Sequence, residues 1–118
     1  MRMWNVPTTW LCRAHLLGEH LEMHMFAGAL RQGKDLTGYI RGGLVELDAI
    51  EDRHKELVFE MQRRGYKHGT PLREVKLILP HGRDALLFLG NVDMWKNVYE
   101  LMNRCATCRE RIFELSGQ

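Results

Sequence analysis

The segment "RAHLLGEHLEMHMF", residues 13–26, sets three histidines and two glutamates among leucines, methionines and a phenylalanine. At about 100° per residue, the turn of an α-helix, His15, Glu19 and Glu22 fall on one narrow stripe. Leu16, Met23 and Leu30 flank it on one side, and Leu11, Leu21 and Met25 on the other. A carboxylate in such an apolar setting is suited to acid–base chemistry, because burial moves its proton affinity. The same stripe is equally explained by carboxylates satisfied by arginines across a core, since buried charges must be paired. Arg13, His20, His24 and Arg31 lie on the opposite side of the helix and read as a basic stripe facing solvent.

Two sets of residues raise the question of a metal. His20 and His24 are four apart, with Glu22 between them, but "HLEMH" is not H-E-x-x-H, and helical rotation turns Glu22 away from both histidines. Cys105 and Cys108, in "RCATCRER", form one C-x-x-C with Cys12 as a distant partner. Strong zinc sites supply four ligands at regular spacing, so this is a weak signal. A redox C-x-x-C belongs in a thioredoxin-like βαβ setting, which the pattern does not offer.

The elements that must position these residues are helical. Pro7 followed by Thr8 and Thr9 marks a helix start, and the periodic stretch runs from about Trp10 to Arg31, stopping at Gly33. "KDLTGYIRGG" reads as a loop with one helical turn. Asp48 with Glu51 forms a capping-box pattern ahead of "AIEDRHKELVFEMQRR", which ends at Gly65 with Arg63 and Arg64 in its last turn. "VKLILP" and "RDALLFL" suit a short strand or helix and a helical turn or two. Asn91 or Asp93 caps a final helix running to about Leu115. The expectation is an all-α fold, a compact single domain over residues 1–118 built on three main helices. Composition agrees with a globular chain: 45% hydrophobic, 27% charged and no low-complexity tract. No apolar run reaches the roughly 20 residues of a membrane span, and no apolar stretch follows Arg2 to make a signal peptide. Three cysteines are no disulfide framework, so a reducing, cytoplasmic setting is expected. The net charge of +2 permits a nucleic-acid partner without requiring one.

The first 31 residues, with Arg2 beside the terminal amine and then the H-x-x-x-E-x-x-E spacing of His15, Glu19 and Glu22, resemble the start of the pyrimidine-dimer DNA glycosylase/AP lyase family, the phage endonuclease V type. Phe26, a small-residue pair and an arginine follow in the same order. "GLVELDAIEDRHKELVFEMQRRGY" resembles the family's second long helix. The likeness is colinear over about the first 66 residues and is lost beyond Pro71.

The resemblance implies an all-α enzyme that uses its terminal α-amine as nucleophile: here Met1, since methionine is normally removed only before a small residue. It implies Glu22 as the catalytic carboxylate, and Arg2 and His15 at positions that contact DNA or the flipped-out region. Glu19 matches in a structural or supporting role. An α-amine titrates near 7.7–8.0 in model peptides and a lysine near 10.4, so a terminal amine is the more available neutral nucleophile at neutral pH. No metal or other cofactor is implied. The partner is double-stranded damaged DNA in a bacterial or phage-infected cell, with no membrane and no obligatory protein partner.

Departures from the family bear on substrate choice. Two basic residues on the first helix are replaced by Leu21 and Met25, and "IFELSGQ" carries no aromatic tail. Trp95 and Tyr99 are a substitute source of aromatic contact, although such a pair at helical spacing is more often core. Arg13, Arg31, Lys34, Arg41, Arg63, Arg64 and Lys67 are the candidates for phosphate contact. Two other classes of function compete: a helical DNA-binding module without catalysis, and a metal-binding regulatory protein using Cys12, Cys105, Cys108 and a histidine.

Overall fold

The computed structural model describes residues 1–69, 71–75, 77 and 89–117. Among these residues it is all-helical: α1 Arg13–Arg31, α2 Thr37–Arg41, α3 Ile50–Arg63, α4 Met94–Arg104 and α5 Ala106–Ser116, with 3-10 turns at Thr8–Trp10 and Leu47–Ala49. No strand occurs among the described residues. Most of "VKLILP" and all of "RDALLFL" but Leu89 lie outside them.

Helix α1 is the central element. Leu16, Glu19, Met23, Phe26 and Ala27 are its buried residues, at helical spacing. Its long side packs along α3, which buries Ile50, Arg53, His54, Leu57, Glu60 and Met61. Fully burying an aliphatic or aromatic side chain contributes about 1.5–3 kcal/mol each, and Leu16, Met23, Phe26, Ile50 and Leu57 are all wholly inaccessible. Helices α4 and α5 pack against one another, and α5 closes on the Thr8–Trp10 turn. The chain's N-terminal segment fills the remaining side of α1, with Met3, Trp4, Val6, Leu11 and Cys12 all in the core.

Three boundaries differ from the sequence expectation, each for a local reason. Helix α1 starts at Arg13 because Cys12, in extended backbone, is its N-cap: the Cys12 sulfur accepts the His15 N–H at 3.5 Å. The Asp48/Glu51 box does not form, since a 3-10 turn places Ala49 at the cap of α3. The third main helix is broken in two at Cys105, which leaves helical geometry at φ −130°, ψ 108° and caps α5 by accepting the Cys108 N–H at 3.4 Å. Asp93 does cap α4, accepting the Lys96 N–H at 3.1 Å, and Gly65 follows α3 in the left-handed region at φ 85°.

The N-terminal segment is held by more than apolar contact. Asn97 on α4 donates to the Trp4 carbonyl at 2.8 Å and to that of Met3 at 3.4 Å. The Met3 N–H donates to the Leu44 carbonyl at 2.6 Å. Between them, Asn5 turns the chain at φ 56°, a conformation asparagine tolerates better than other residues with a Cβ. Arg64 ties the other end, donating to the carbonyls of Leu11 and Thr8 at 2.8 and 3.1 Å while its Nε bonds Glu60 at 2.7 Å.

Candidate active site at the N-terminus

The terminal amine of Met1 lies 4.0 Å from Glu22 Oε1, with side chains 17% and 29% exposed respectively. An amine and a carboxylate thus meet at a place that is partly shielded but still reachable. Helix α1 presents Glu22 on the turn after Glu19, and the anchored Met3–Val6 segment brings Met1 to it.

Arg2 holds the amine in place from the other side. Its guanidinium donates to Glu100 at 2.7 Å and to Asn97 Oδ1 at 2.5 Å, and it stacks 3.9 Å from the Trp4 ring centroid. The Arg2 hydrogen bond also draws the Glu100 carboxyl below its ordinary value. Arg2, Arg41 and Lys96 border a polar cleft of about 290 Å³ on this face.

Glu19 takes the other path open to the stripe. Its carboxylate is wholly buried and accepts both Nε and Nη2 of Arg53, at 2.6 and 2.9 Å. Burial works against the charge on Arg53, but Glu19 and Glu56 outweigh it and keep the guanidinium firmly protonated. Two carboxylates one turn apart are thus separated in role: Glu19 joins α1 to α3, and Glu22 faces the amine. Arg53 was not singled out in the sequence, although an arginine in the first turn of α3 suits the partner that a buried Glu19 demands.

His15 turns its ring to the cysteines. Its Nδ1 lies 3.2 Å from Cys12 Sγ and 3.5 Å from Cys108 Sγ, and Trp4 packs edge-on against its ring. Burial depresses its proton affinity, with Glu22 opposing. Cys105 Sγ is 3.9 Å from Cys12 Sγ, so the four groups Cys12, His15, Cys105 and Cys108 converge, their ligand atoms all within 4.8 Å of one another. Burial pushes the Cys108 thiol up to about 12. At Cys105 burial acts the same way, but N–H and thiol donors overcome it and the thiol is lowered.

His20 and His24 also depart from expectation. Rather than facing solvent, they turn onto α3, where they meet His54 and the loop residue His68, again with all ligand atoms within 4.8 Å. His24 and His54 are 3.1 Å apart through their Nε2 atoms. Burial, reinforced by the neighbouring rings, lowers His20 and His54 to about 4. The i, i+4 pair was visible in the sequence; nothing in it identified the two histidines that complete the group.

Among the basic residues, Arg13, Arg31, Lys34, Arg41, Arg63 and Lys67 are exposed. Arg13 lies 5.1 Å from the Tyr66 ring centroid, and Arg63 is bonded to Glu60 at one edge while remaining open at the other. Arg64 is different: only 11% exposed, its guanidinium is committed to Glu60 and to backbone carbonyls, which makes it a tie within the protein rather than a phosphate contact. Trp95 and Tyr99 are 68% and 69% exposed, so they form no part of the core. Leu21 and Met25 are exposed on α1 beside Glu22.

No described helix is long and apolar enough to cross a membrane. Comparison with known proteins finds no matching curated relative and no matching solved structure. It does find a family model: that of pyrimidine dimer DNA glycosylases matches residues 1–74, which span the N-terminal segment, α1, α2 and α3. With more than half of its length matched, the chain belongs to the pyrimidine dimer DNA glycosylase family, enzymes that act on DNA.

Proposed function

We propose that the protein is a DNA-repair glycosylase with AP-lyase activity on pyrimidine dimers or a related base lesion, using the Met1 amine as nucleophile and Glu22 as acid and base. The observation that supports this most is the 4.0 Å approach of the amine to Glu22 in a half-buried setting.

The neutral Met1 amine attacks C1′ of the damaged nucleotide. The C1′–N bond to the base breaks and the base leaves with the electron pair, taking up a proton. Opening of the C1′–O4′ bond, with a proton delivered to O4′, gives an imine between C1′ and the Met1 nitrogen. Removal of a C2′ proton then expels the 3′ phosphate by β-elimination and nicks the strand. Water finally hydrolyses the imine and releases the amine. Glu22 is the group in reach to take the amine's proton and to return protons to O4′; such general catalysis contributes about 10²–10⁴-fold.

Reaching C1′ requires kinking the duplex or extruding a base, at a cost of a few kcal/mol that is smallest at a damaged site. The exposed Arg13, Arg31, Lys34, Arg63 and Lys67 supply phosphate contacts, and exposed Trp95 and Tyr99 supply flat faces for stacking. Exposed Leu21 and Met25, in place of cations, put an apolar surface on α1 beside Glu22.

The test is strand nicking of duplexes bearing a single thymine dimer, by the wild type and by Glu22→Gln. Turnover falls by about 10²–10⁴-fold in the variant while dimer-duplex affinity and Tm are retained. A protein that binds the lesion duplex but never nicks it is the DNA-binding module instead, and unchanged turnover in Glu22→Gln removes Glu22 from the chemistry.

A further inference from the structure

We infer that Cys12, His15, Cys105 and Cys108 bind one zinc ion, which locks the N-terminal segment and the start of α1 to the junction of α4 and α5. Tetrahedral zinc has bonds of about 2.3 Å to sulfur and 2.0–2.1 Å to nitrogen, which place sulfur–sulfur edges at about 3.8 Å and sulfur–nitrogen edges at about 3.5–3.6 Å. The corresponding separations here are 3.9 Å for Cys12–Cys105, and 3.2 and 3.5 Å from His15 Nδ1 to Cys12 and Cys108. Three of the six edges therefore already come close to those of a zinc tetrahedron, and the others are at most 4.8 Å. With all ligand atoms within 4.8 Å, the space holds one ion rather than a polynuclear iron–sulfur cluster.

The ligand-bearing segments are matched. Cys12-x-x-His15 and Cys105-x-x-Cys108 each wrap the first turn of a helix, with the leading cysteine as N-cap. Three backbone N–H groups point at sulfur: His15 to Cys12, Cys108 to Cys105, and Cys12 to Cys108 at 3.3 Å. Such donors favour the thiolates that zinc requires. Trp4 against His15 fixes the ring that presents Nδ1. Cys105 and Cys108 lie beyond the residues matched by the family model, so the site adds to the shared scaffold and joins it to the C-terminal helices. It does not depend on the glycosylase reading.

The experiment is metal analysis and X-ray absorption on untagged protein purified under reducing conditions, followed by cobalt(II) chloride titration of the stripped protein. One sulfur-held zinc per chain at this site, with scattering at about 2.3 Å, is expected, as is a thiolate-to-cobalt charge-transfer band on titration. Stripping lowers Tm by roughly 15 °C, the shift from a ligand at about 1,000 times its Kd in a chain of this size, and zinc chloride restores it. Cys105→Ser with Cys108→Ser removes the sulfur signal; should that variant fail to fold, the wild-type titration decides alone. Absence of both the sulfur scattering and the charge-transfer band overturns the site, as does an intact protein whose mass shows Cys12 disulfide-bonded.

A separate observation carries a second metal site, at His20, His24, His54 and His68. The Nε2 atoms of His20 and His68 are buried and have no hydrogen-bond partner among the described residues, although a buried polar group without a partner costs about 1–3 kcal/mol. Four imidazoles on α1, α3 and the following loop turn their ligand atoms together, and His24 and His54 stand 3.1 Å apart, close to the 3.3–3.4 Å or so of a tetrahedral zinc–imidazole edge. We propose that a divalent ion of the zinc, nickel or cobalt class accepts these lone pairs, as imidazole sets favour, and pins the loop at His68 to α1 and α3. In a variant with all three cysteines changed to serine, zinc chloride binds one ion per chain with nitrogen-only scattering, and His24→Ala with His54→Ala abolishes it. If zinc, nickel and cobalt chlorides all leave the cysteine-free protein's Tm and metal content unchanged, the site is refuted; should that protein not fold, a wild type binding a single ion, held through sulfur, refutes it equally.

Discussion

Replacing Glu19 by glutamine isolates the structural half of the carboxylate stripe. The Glu19 carboxylate is wholly buried and Arg53 is 3% exposed, so the substitution leaves a guanidinium inside the protein with only Glu56, at its solvent edge, to balance it. Breaking one side of a buried pair costs about 3–5 kcal/mol; since glutamine retains one hydrogen bond to Arg53, about 3 kcal/mol is expected here. A chain of this length unfolds with an entropy of about 0.25 kcal/mol per degree, so Tm falls by about 12 °C. The double variant Glu19→Leu, Arg53→Met removes both charges and recovers to within about 1–2 kcal/mol of the wild type. Thermal and urea unfolding followed by far-ultraviolet circular dichroism measure these differences, and lesion-duplex nicking per folded molecule measures function. Nicking per folded molecule stays within a few-fold of wild type. A Glu19→Gln protein of wild-type stability whose turnover has collapsed refutes this reasoning and places Glu19 in the chemistry.

Three other outcomes follow from the same structure. Glu60 and Glu100 both have carboxyls held below their ordinary 4.5, chiefly by hydrogen bonds from Arg63 and Arg2. Their contribution is therefore complete above pH 4.5 and is lost as pH falls through the lowered folded-state values; urea unfolding at stepped acid pH shows the decline, and Glu60→Gln flattens it. Gly90→Ala drives its Cβ into the Val45 carbonyl oxygen in a left-handed backbone, whereas Gly65→Ala, also left-handed, meets open space. The first costs about 3 kcal/mol or more and the second about 1 kcal/mol, which equilibrium unfolding resolves. Finally, Arg13→Ala with Arg31→Ala reduces the salt slope of lesion-duplex binding by about 2; Arg64→Met lowers Tm and leaves the slope intact, as fluorescence anisotropy across salt concentrations reveals.

The helical wheel of residues 13–26 carried much of the site. It placed Glu19 and Glu22 on one apolar-flanked stripe; the buried pairing weighed for such a stripe occurs at Glu19, with Arg53, while Glu22 stands 4.0 Å from the Met1 amine. Gly65 and Asp93 were also legible, because a left-handed stop and a side-chain cap are local. What failed to show were features set by distant partners. A wheel assigns angles but not neighbours, so His20 and His24 read as solvent-facing when α3 and the loop at His68 cover that side. "RCATCRER" contains no glycine or proline, and the helix breaks there because Cys105 caps the next turn with its sulfur. Trp95 and Tyr99 resemble core residues at helical spacing, yet α4 turns them outward. Arg64 looked like one of several surface cations until the Thr8–Leu11 carbonyls came within its reach.

The amine of Met1 as nucleophile is open to direct capture. Untagged protein is incubated with duplexes carrying a thymine dimer, an abasic site or no lesion in the presence of borohydride, and the adduct is digested and located by mass spectrometry. The mechanism predicts a reduced covalent link on the dimer and abasic duplexes, none on the undamaged one, attached to the Met1 nitrogen and absent when that nitrogen is blocked. An adduct on a lysine, or none on either damaged duplex, contradicts it.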